Sequence, residues 1–272
     1  MGKHIVTTAL CYANGNLHLG HLLEMIQADI WVRAARRNGL DVVFLSGDDA
    51  HGTPIMLQAE KMQVSPEELI KNVHVQRLED IRAFHISYDC YHTTHSSENE
   101  KIVAQLYEQL CQSGVFIEKE IEQAYDVQRQ MFLPDRYIKG QCPRCGAQDQ
   151  YGDNCEKCSA TYEPDELVNP YSILTGKAPE KRKTKHQFFN LAACEEKILS
   201  WLHDSQLMPS VVNKLKEWMG GLKPWDITRD APYFGFPIPG RENQYFYVWM
   251  DAPIGYIGAL EALFPGEAMS TW

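Results

Sequence analysis

The segment His18-Leu19-Gly20-His21 brings two imidazoles and a glycine together within one turn of the chain. Imidazole N–H groups can donate hydrogen bonds to phosphate oxygens, and a glycine leaves room for a nucleotide to approach the backbone. The four residues alone equally suit a pair of metal-binding histidines or two surface histidines. The elements around them therefore decide which chemistry is favoured.

Four of the eight cysteines form two pairs with Cys-x-x-Cys spacing, separated by nine residues. Each pair can offer two thiolates from one tight turn, which suits a tetrahedral zinc ion, and disulfides or redox motifs are poorer explanations in a cytosolic chain. All four ligands would be protein atoms, so the predicted site is closed and structural. The predicted ligands are Cys142, Cys145, Cys155 and Cys158.

The remaining cysteines are scattered, and each is interpreted as a small buried hydrophobic residue. They are Cys11, Cys90, Cys111 and Cys194. The sequence assigns no function to Cys11, although it stands close to the histidine motif.

A strand-to-helix transition surrounds the histidine motif. Ile5 to Leu10 is apolar with threonines and predicts a buried strand, whereas apolar residues from Leu22 towards Gly39 recur at helical spacing. A helix that begins after a glycine-containing turn presents free N–H groups and the positive end of its dipole, which favours a phosphate. This setting favours the phosphate interpretation of the motif.

The first part of the chain predicts a parallel sheet. A second buried strand is expected at Val42 to Leu45, and helices are expected from Ser65 to about Phe84 and from Ser97 to Gly114. Alternating strands and helices indicate parallel strands joined by crossover helices. Ligands of such sheets bind at the carboxyl ends of the strands, where the histidine motif and the adjacent Asp48 and Asp49 fall.

The pattern changes between about Val115 and Thr228, where short mixed stretches and the cysteine pairs replace the alternation. This region is interpreted as a domain inserted into the sheet fold. It closes with two helical patterns, around Ala192 to Leu202 and around Val212 to Met219, and Tyr245 to Met250 is expected to return as a strand of the sheet. The expected domains are residues 1–114, 115–228 and 229–272.

Length and charge limit the class of protein. A chain of 272 residues suggests about two domains, and no apolar stretch approaches the roughly 20 residues that span a bilayer. With no signal peptide recognisable, we expect a cytoplasmic protein without a membrane partner. The net charge of −10 argues against a protein that coats nucleic acid, but basic residues could gather locally. One dense basic run, residues 177–185, is either a solvated loop or such a patch.

Several longer segments resemble the methionyl-tRNA synthetase family of class I aminoacyl-tRNA synthetases. They cover almost the whole chain, and together they are far more specific than any one of them. The resemblance implies a Rossmann-like α/β fold of the HIGH type, with a parallel sheet and an inserted connective-peptide domain that carries a zinc knuckle. The segments are Ala9 to His21, Gly47 to Pro54, Phe132 to Arg136, Trp225 to Gly235 and Tyr247 to Tyr256.

The resemblance implies that methionine and ATP give methionyl-adenylate and pyrophosphate, and that the methionyl group is then transferred to tRNA(Met). The substrate carboxylate is the nucleophile, so the protein positions the reactants and stabilises phosphate charge together with Mg2+. His18 and His21 are the expected catalytic donors to the phosphates, and Gly20 is the expected contact surface under the adenosine.

The resemblance places the methionine ammonium on Asp49. The alternative role of Asp49 is to cap the next turn, and Asp48 could cap that turn equally well. Arg229 is expected to support Asp49 or the substrate carboxylate, with a surface ion pair as the alternative. Methionine is unbranched and carries a polarizable thioether, which aromatic and small apolar walls suit. The implied walls are Ala9, Leu10, Tyr12, Trp249, Ala252, Pro253 and Tyr256, of which Trp249 would otherwise be interpreted as a core residue.

Two departures from the family are visible. Asn169 to Gly176 contains no second cysteine knuckle, so one zinc ion is expected. The second family signature, Lys-Met-Ser-Lys-Ser, is absent before the chain ends at Trp272, which implies an amino-terminal fragment with little adenylation activity alone. The alternatives are another class I synthetase for an apolar amino acid, a non-catalytic zinc-ribbon RNA-binding module, or a small nucleotidyltransferase. The oligomeric state is not predicted.

Overall fold

A computed structural model describes residues 3–162 and 164–272. The chain forms two compact units, and the second interrupts the first in sequence. The first unit contains the chain up to Leu106 together with Tyr233–Trp272, and the second is Tyr107–Pro232. Among the described helices, none has both the length and the apolar character needed to cross a bilayer.

The amino-terminal part of the first unit alternates strands with helices, as the hydrophobic periods predict. The strands are β1 His4–Thr7, β2 Cys11–Tyr12, β3 Val42–Asp49 and β4 Cys90–Thr93. The helices are α1 Leu19–Arg37, α2 Thr53–Met62, α3 Pro66–Ala83 and α4 Ser97–Gln112, of which α4 continues into the second unit.

A parallel sheet is built around β3. β1 and β2 pair with β3 in parallel, with a register change of one residue between them, and β4 pairs with it as well. The predicted strand from Ile5 to Leu10 is therefore shorter and interrupted, and β1 is only half-buried. The carbonyl of Thr8, just after β1, accepts hydrogen bonds from two side-chain hydroxyls, Ser46 Oγ on β3 and Tyr256 Oη.

Helices cover both faces of β3, which is buried over its whole length, beyond the predicted segment of Val42 to Leu45. Successive side chains of a strand point to opposite faces. Val42 and Phe44 pack in a cluster with Leu22 and Met25 of α1. Val43 and Leu45 pack in a second cluster with Ile102 of α4 and with residues of a later helix. The predicted layered α/β class is thus confirmed.

The second unit begins with a long antiparallel ladder. Its strands are β5 Phe116–Asp126, β6 Met131–Phe132, β7 Ile138–Gln141, β8 Gln150–Tyr151, β9 Val168–Ser172, β10 Glu180–Phe189, β11 Trp225–Asp226 and β12 Thr228–Asp230. β10 pairs with β5 over its whole length, and β7 lies between β8 and β9 in a smaller sheet. The two predicted helices form, as α5 Glu195–Asp204 and α6 Pro209–Trp218.

The basic run is part of a strand, not a loop. Most of its cations lie on β10, and acidic groups neutralise them. Lys183 Nζ lies 2.8 Å from Glu120, and Lys185 Nζ lies 3.6 Å from Glu118 on the facing strand. These pairs are exposed, so their main consequence is to reduce the net positive charge of this surface.

The carboxyl-terminal part of the first unit differs from the predicted strand at Tyr245 to Met250. Its elements are β13 Gln244–Phe246, α7 Val248–Asp251, α8 Gly255–Leu263 and α9 Ala268–Thr271. β13 does not join the parallel sheet. The prediction was wrong because a run rich in aromatic and β-branched residues has the composition of a strand, whereas contacts made by Asp251 hold the end of this run as a helix.

Candidate active site and metal centre

The histidine motif forms the amino-terminal cap of α1. His18 is the N-cap residue, its Nδ1 accepts the N–H of Gly20 at 3.0 Å, and its own N–H donates to Nδ1 of His21 at 3.3 Å. The two rings stack with their centroids 3.7 Å apart. The two imidazoles thus accept hydrogen bonds from backbone N–H groups at the start of the helix, as the Ser and Glu side chains of a capping box do in other helices.

This cap determines where the imidazole protons lie. Because both Nδ1 atoms accept hydrogen bonds, each neutral ring carries its proton on Nε2, which is the nitrogen that can donate to a ligand. Burial, followed by the neighbouring His18 and Arg77, lowers the pKa of His21, against the opposite effect of Glu24. Two donors at the positive end of a helix suit an anion.

Gly20 is required by the cap itself. A Cβ atom at this position would lie 2.8 Å from Cε1 of His18. Any larger residue would therefore displace the His18 ring from its hydrogen bond. The glycine makes the close approach of an imidazole to the backbone possible, and the predicted approach of a nucleotide to Gly20 stays a prediction.

The two aspartates at the end of β3 have different surroundings. Asp48 is fully buried and accepts hydrogen bonds from Arg77, Tyr91 and His74 at 2.6, 2.7 and 2.5 Å. Asp49 is 8% exposed, and among the described residues its Oδ1 has no hydrogen-bond partner. The preference for Asp49 over Asp48 as the free carboxylate therefore has a structural basis.

Burial raises the pKa of Asp49 to about 8, and the nearby Asp251 carboxylate adds to this effect. The backbone N–H of His51 acts in the opposite direction. A buried carboxyl group without a cation holds its proton near neutral pH, and a cation brought close to it favours the ionised form. Asp49 is thus suited to bind a positively charged group.

The residues predicted as walls of a methionine pocket occupy different environments. Tyr12 pairs with Asp49 in the parallel sheet, and Tyr256 bonds the Thr8 carbonyl, so both lie at the carboxyl end of the sheet. Leu10 lies close to the start of α8, 3.5 Å from where a Cβ on Gly255 would stand. Ala252 is buried, whereas Ala9, Pro253 and Trp249 are exposed.

Trp249 is 60% exposed, so the alternative that it is a core tryptophan is wrong. It stands on the short helix α7, and Asp251 at the end of the same helix is buried. Arg229 belongs to the second unit, where its guanidinium lies 3.7 Å from Asp226 and donates to the carbonyl of Thr228. The ion-pair alternative is thus realised for Arg229, and its predicted support of Asp49 stays a prediction.

A buried network near Asp49 escaped the sequence analysis. His51 Nδ1 lies 2.5 Å from Asp251 Oδ2, and His51 Nε2 lies 2.9 Å from Nδ1 of His95. Asn99 also donates to the carbonyl of Asp251. His51 and Asp251 stand in segments that carry the family resemblance, which was the available signal, whereas no pattern identifies His95.

The four predicted zinc ligands come together in the second unit. Their Sγ atoms all lie within 4.8 Å of one another, and the closest pairs are 3.6 and 3.9 Å apart. Tetrahedral zinc with Zn–S bonds of about 2.3 Å requires Sγ–Sγ distances of about 3.8 Å. The N–H groups of Arg144 and Cys145 point at Cys142 Sγ, and that of Cys158 points at Cys155 Sγ. The cluster could therefore hold a metal ion, and its donors fit zinc.

The other cysteines are not all buried. Cys11 is buried, and burial raises the pKa of its thiol to about 11, in agreement with an inert core residue. Cys90 and Cys194 are half-buried and Cys111 is exposed, so the prediction was wrong for these positions. Cys111 is exposed because it lies on the outer face of α4, in the last turn of that helix.

Comparison with known proteins agrees with this geometry. The family described as tRNA synthetases class I (M) matches residues 4–272. The fold is similar to Mycobacterium tuberculosis methionyl-tRNA synthetase bound by methionyl-adenylate, with 23% identity, a TM-score of 0.72, and coverage of 97% of this chain and 48% of that chain. A second structure of that enzyme, in complex with methionyl-adenylate, gives 23% identity, a TM-score of 0.73, and coverage of 98% and 48%.

The chain thus spans about half the length of these two solved chains. Their similarity confirms the fold that the motifs predicted, and the family match extends over both units and over the segments that carry the resemblance. The chain belongs to the class I tRNA synthetases, in the family described as tRNA synthetases class I (M).

Proposed function

We propose that this chain carries the amino-acid activation site of a methionine–tRNA ligase. In the proposed reaction a carboxylate oxygen of L-methionine attacks the α-phosphorus of ATP, the bond to pyrophosphate breaks, and methionyl-adenylate forms. The methionyl group then passes to tRNA(Met). One observation carries the proposal: Asp49 is a buried carboxyl group whose Oδ1 has no partner among the described residues, on the strand beside β2, which leads into the histidine cap.

Each part of the site has a proposed task. Asp49 binds the methionine ammonium, and the Nε2–H groups of His18 and His21 donate to ATP phosphates, with Gly20 beneath the adenosine. Bound Mg2+ would neutralise part of the phosphate charge. Tyr12, Tyr256, Leu10 and Ala252 form walls of the methionine site, to which Trp249, Ala9 and Pro253 contribute from the surface.

The second unit has a supporting task in this proposal. Zinc bound by the four cysteines holds the knuckle together, and Arg229 orients the substrate carboxylate or Asp49. The inserted connective-peptide domain is proposed to comprise about residues 115–228. A separate RNA-binding module is less well supported, because the one dense basic run is paired with acidic side chains.

A thermal-shift panel tests the substrate. The chain is heated with each of the proteinogenic amino acids, and with D-methionine, in the presence and absence of ATP and Mg2+. Among these amino acids, we expect only L-methionine to raise the Tm appreciably, because a ligand that binds the folded state stabilises it. Stabilisation by leucine or valine instead would identify another apolar substrate, and the methionine proposal would be rejected.

A further inference from the structure

Arg77 is the largest fully buried side chain of the described chain, at 1% exposure. It stands in the middle of α3, and its side chain reaches β2 and the turn between β2 and α1. Its Nη1 donates to the carbonyl of Cys11 at 2.8 Å, and its Nη2 donates to the carbonyls of Tyr12 and Gly15 at 2.6 and 2.7 Å. We call residues 11–15 the grip segment.

Asp48 supplies the counter-charge. Its Oδ1 lies 2.6 Å from Nη1 of Arg77, and both side chains are 1% exposed. Tyr91 also donates to Oδ1 of Asp48, and His74 contacts Oδ2. Although burial alone disfavours the charged form, Asp48 outweighs it and the pKa of Arg77 is raised. A guanidinium is thus held charged in the core.

Stability alone does not explain such a pair. Buried ion pairs are expensive to desolvate, and well-packed apolar residues often replace them without loss of stability. What an apolar residue could not do is hold three carbonyl groups of one segment in a fixed geometry. The planar fork of arginine suits this task, whereas the single ammonium of lysine does not.

The grip segment connects the proposed binding groups. Tyr12 lies beside Asp49 in the sheet, and His18 caps α1 three residues after Gly15. Among the described residues, the backbone hydrogen bonds between this segment and β3 are those of the short ladder at Cys11–Tyr12 and that of the Ala13 N–H, which donates to the Asp49 carbonyl. Arg77 supplies the contacts on the carbonyl side of the segment.

We propose that Arg77 is a positioning residue for amino-acid activation, which acts by holding the carbonyls of Cys11, Tyr12 and Gly15 so that Tyr12 and His18 keep fixed places relative to Asp49. This rests on the proposed function of those three residues. The positive charge of Arg77 also affects His21. Burial, His18 and Arg77 together lower the pKa of His21, whereas Glu24 raises it. Arg77 therefore acts on both the geometry and the protonation of the phosphate-binding end.

The first test compares Arg77→Lys with Arg82→Lys, a matched control at an exposed position of the same helix. Amide hydrogen exchange of the grip segment is followed without any ligand. Loss of one charge-assisted hydrogen bond corresponds to about a tenfold change in an opening equilibrium. We expect exchange at Tyr12 and Ala13 to rise at least about tenfold in Arg77→Lys, with β3 and the control unchanged. Equal exchange in the two variants would overturn the proposal.

The second test separates positioning from stability. In Arg77→Met/Asp48→Asn both charges are removed, so no unpaired buried charge remains. Binding of ATP and of L-methionine is measured by calorimetry for the wild type, Arg77→Lys and the double variant. The proposal predicts that ATP affinity falls about tenfold or more in both variants, even where the Tm returns to the wild-type value. Recovery of both Tm and affinity in the double variant would show that Arg77 serves stability alone.

The same experiment distinguishes the two proposals. If the wild type binds neither ATP nor methionine, the proposed function fails, while the hydrogen-exchange result still decides whether Arg77 holds the segment. Spectroscopic titration of His21 adds an independent readout, since its pKa should rise in the double variant and stay low in Arg77→Lys. An unchanged His21 pKa in the double variant would contradict the electrostatic part.

Discussion

Two adjacent aspartates at the end of β3 show how much a single residue position matters in this site. The side chains of neighbouring strand residues point to opposite faces. Asp48 therefore faces Arg77, His74 and Tyr91, whereas Asp49 faces a side where its Oδ1 finds no partner among the described residues. The first carboxylate is committed to the core, and the second is free for a cation.

Replacing Asp49 with asparagine should change the pH dependence of stability. The pKa of Asp49 is about 8 in the folded protein and about 3.9 in an unfolded chain. As pH rises from about 4 to 8 the unfolded chain loses this proton while the folded protein keeps it, so ionisation favours unfolding. We expect the Tm of Asp49→Asn, relative to the wild type, to increase between pH 5 and 8.

Asp41→Asn is the matched control, because Asp41 is an exposed residue just before the same strand. Its Tm difference from the wild type should stay flat over this pH range. If Asp49→Asn and Asp41→Asn showed the same pH profile, Asp49 would not carry the raised pKa on which its role depends.

At the scale of elements, each part of the site is placed by the end of a helix or strand. The cap of α1 positions the two histidines, the end of β3 positions Asp49, and α7 carries Trp249. The network of Asp251, His51 and His95 connects α7 to the end of β3 and to the segment after β4. Element ends and the contacts between them thus decide the geometry of the site.

The double role of His18 can be separated by two substitutions. Alanine removes both the cap and the imidazole, and loss of an N-cap side chain costs about 1 kcal/mol. Asparagine is a good N-cap, so we expect His18→Asn to keep the wild-type Tm and His18→Ala to lower it. Both should lose affinity for ATP, measured by calorimetry. An ATP affinity that followed the Tm instead would mean that His18 acts only as a cap.

The contact between His51 and Asp251 should be important for stability. Both side chains are completely buried, so His51→Ala leaves Asp251 Oδ2 without its hydrogen-bond partner in the core. Leaving a buried polar group without its partner costs ~1–3 kcal/mol or more, whereas Asp251→Asn combined with His51→Ala removes the ionisable group and should recover part of the loss. Chemical denaturation of the three variants measures this. Equal losses in the single and double variants would show that the ionisable group is not the cause.

Local sequence patterning, that is apolar periodicity, helix caps and apolar runs, predicted α1, α3, α4 and the first half of β3. It could not predict Tyr245 to Met250, because its composition suits a strand while long-range contacts of Asp251 hold the end of this run as a helix. Motif spacing predicted roles for the histidine motif and the four cysteines, and the family resemblance predicted the role of Asp49. Arg77 was missed because its hydrogen-bond partners lie 29 to 66 residues away along the chain and no local pattern connects them.

At the scale of the whole molecule, two separate units carry two kinds of chemistry. The first holds the carboxylate and the histidines on a parallel sheet, and the second interrupts it in sequence with antiparallel strands and a cysteine cluster. We expect a metal ion bound by the cluster to stabilise the small sheet formed by β7, β8 and β9. Metal binding is therefore expected to matter for the second unit and not for the chemistry of the first.

Metal content and stability should respond to the cysteines of the cluster only. Elemental analysis of the purified chain should give about one zinc ion per chain in the wild type and in Cys111→Ser, and none in Cys145→Ser. Chelation should lower the temperature at which the second unit unfolds, because binding free energy contributes to folding. Equal zinc content in all three proteins would exclude the cluster as the metal site.

The central claim is that Asp49 binds the ammonium group of L-methionine, and calorimetry in two buffers of different ionisation enthalpy tests it most directly. At pH 7 the free carboxyl group is mostly protonated, and the ammonium favours its ionised form, so binding should release a number of protons approaching about one per methionine. D-methionine and L-leucine should bind more weakly, and Asp49→Asn should abolish both binding and release. Binding of L-methionine without proton release, or unchanged binding in Asp49→Asn, would contradict the account.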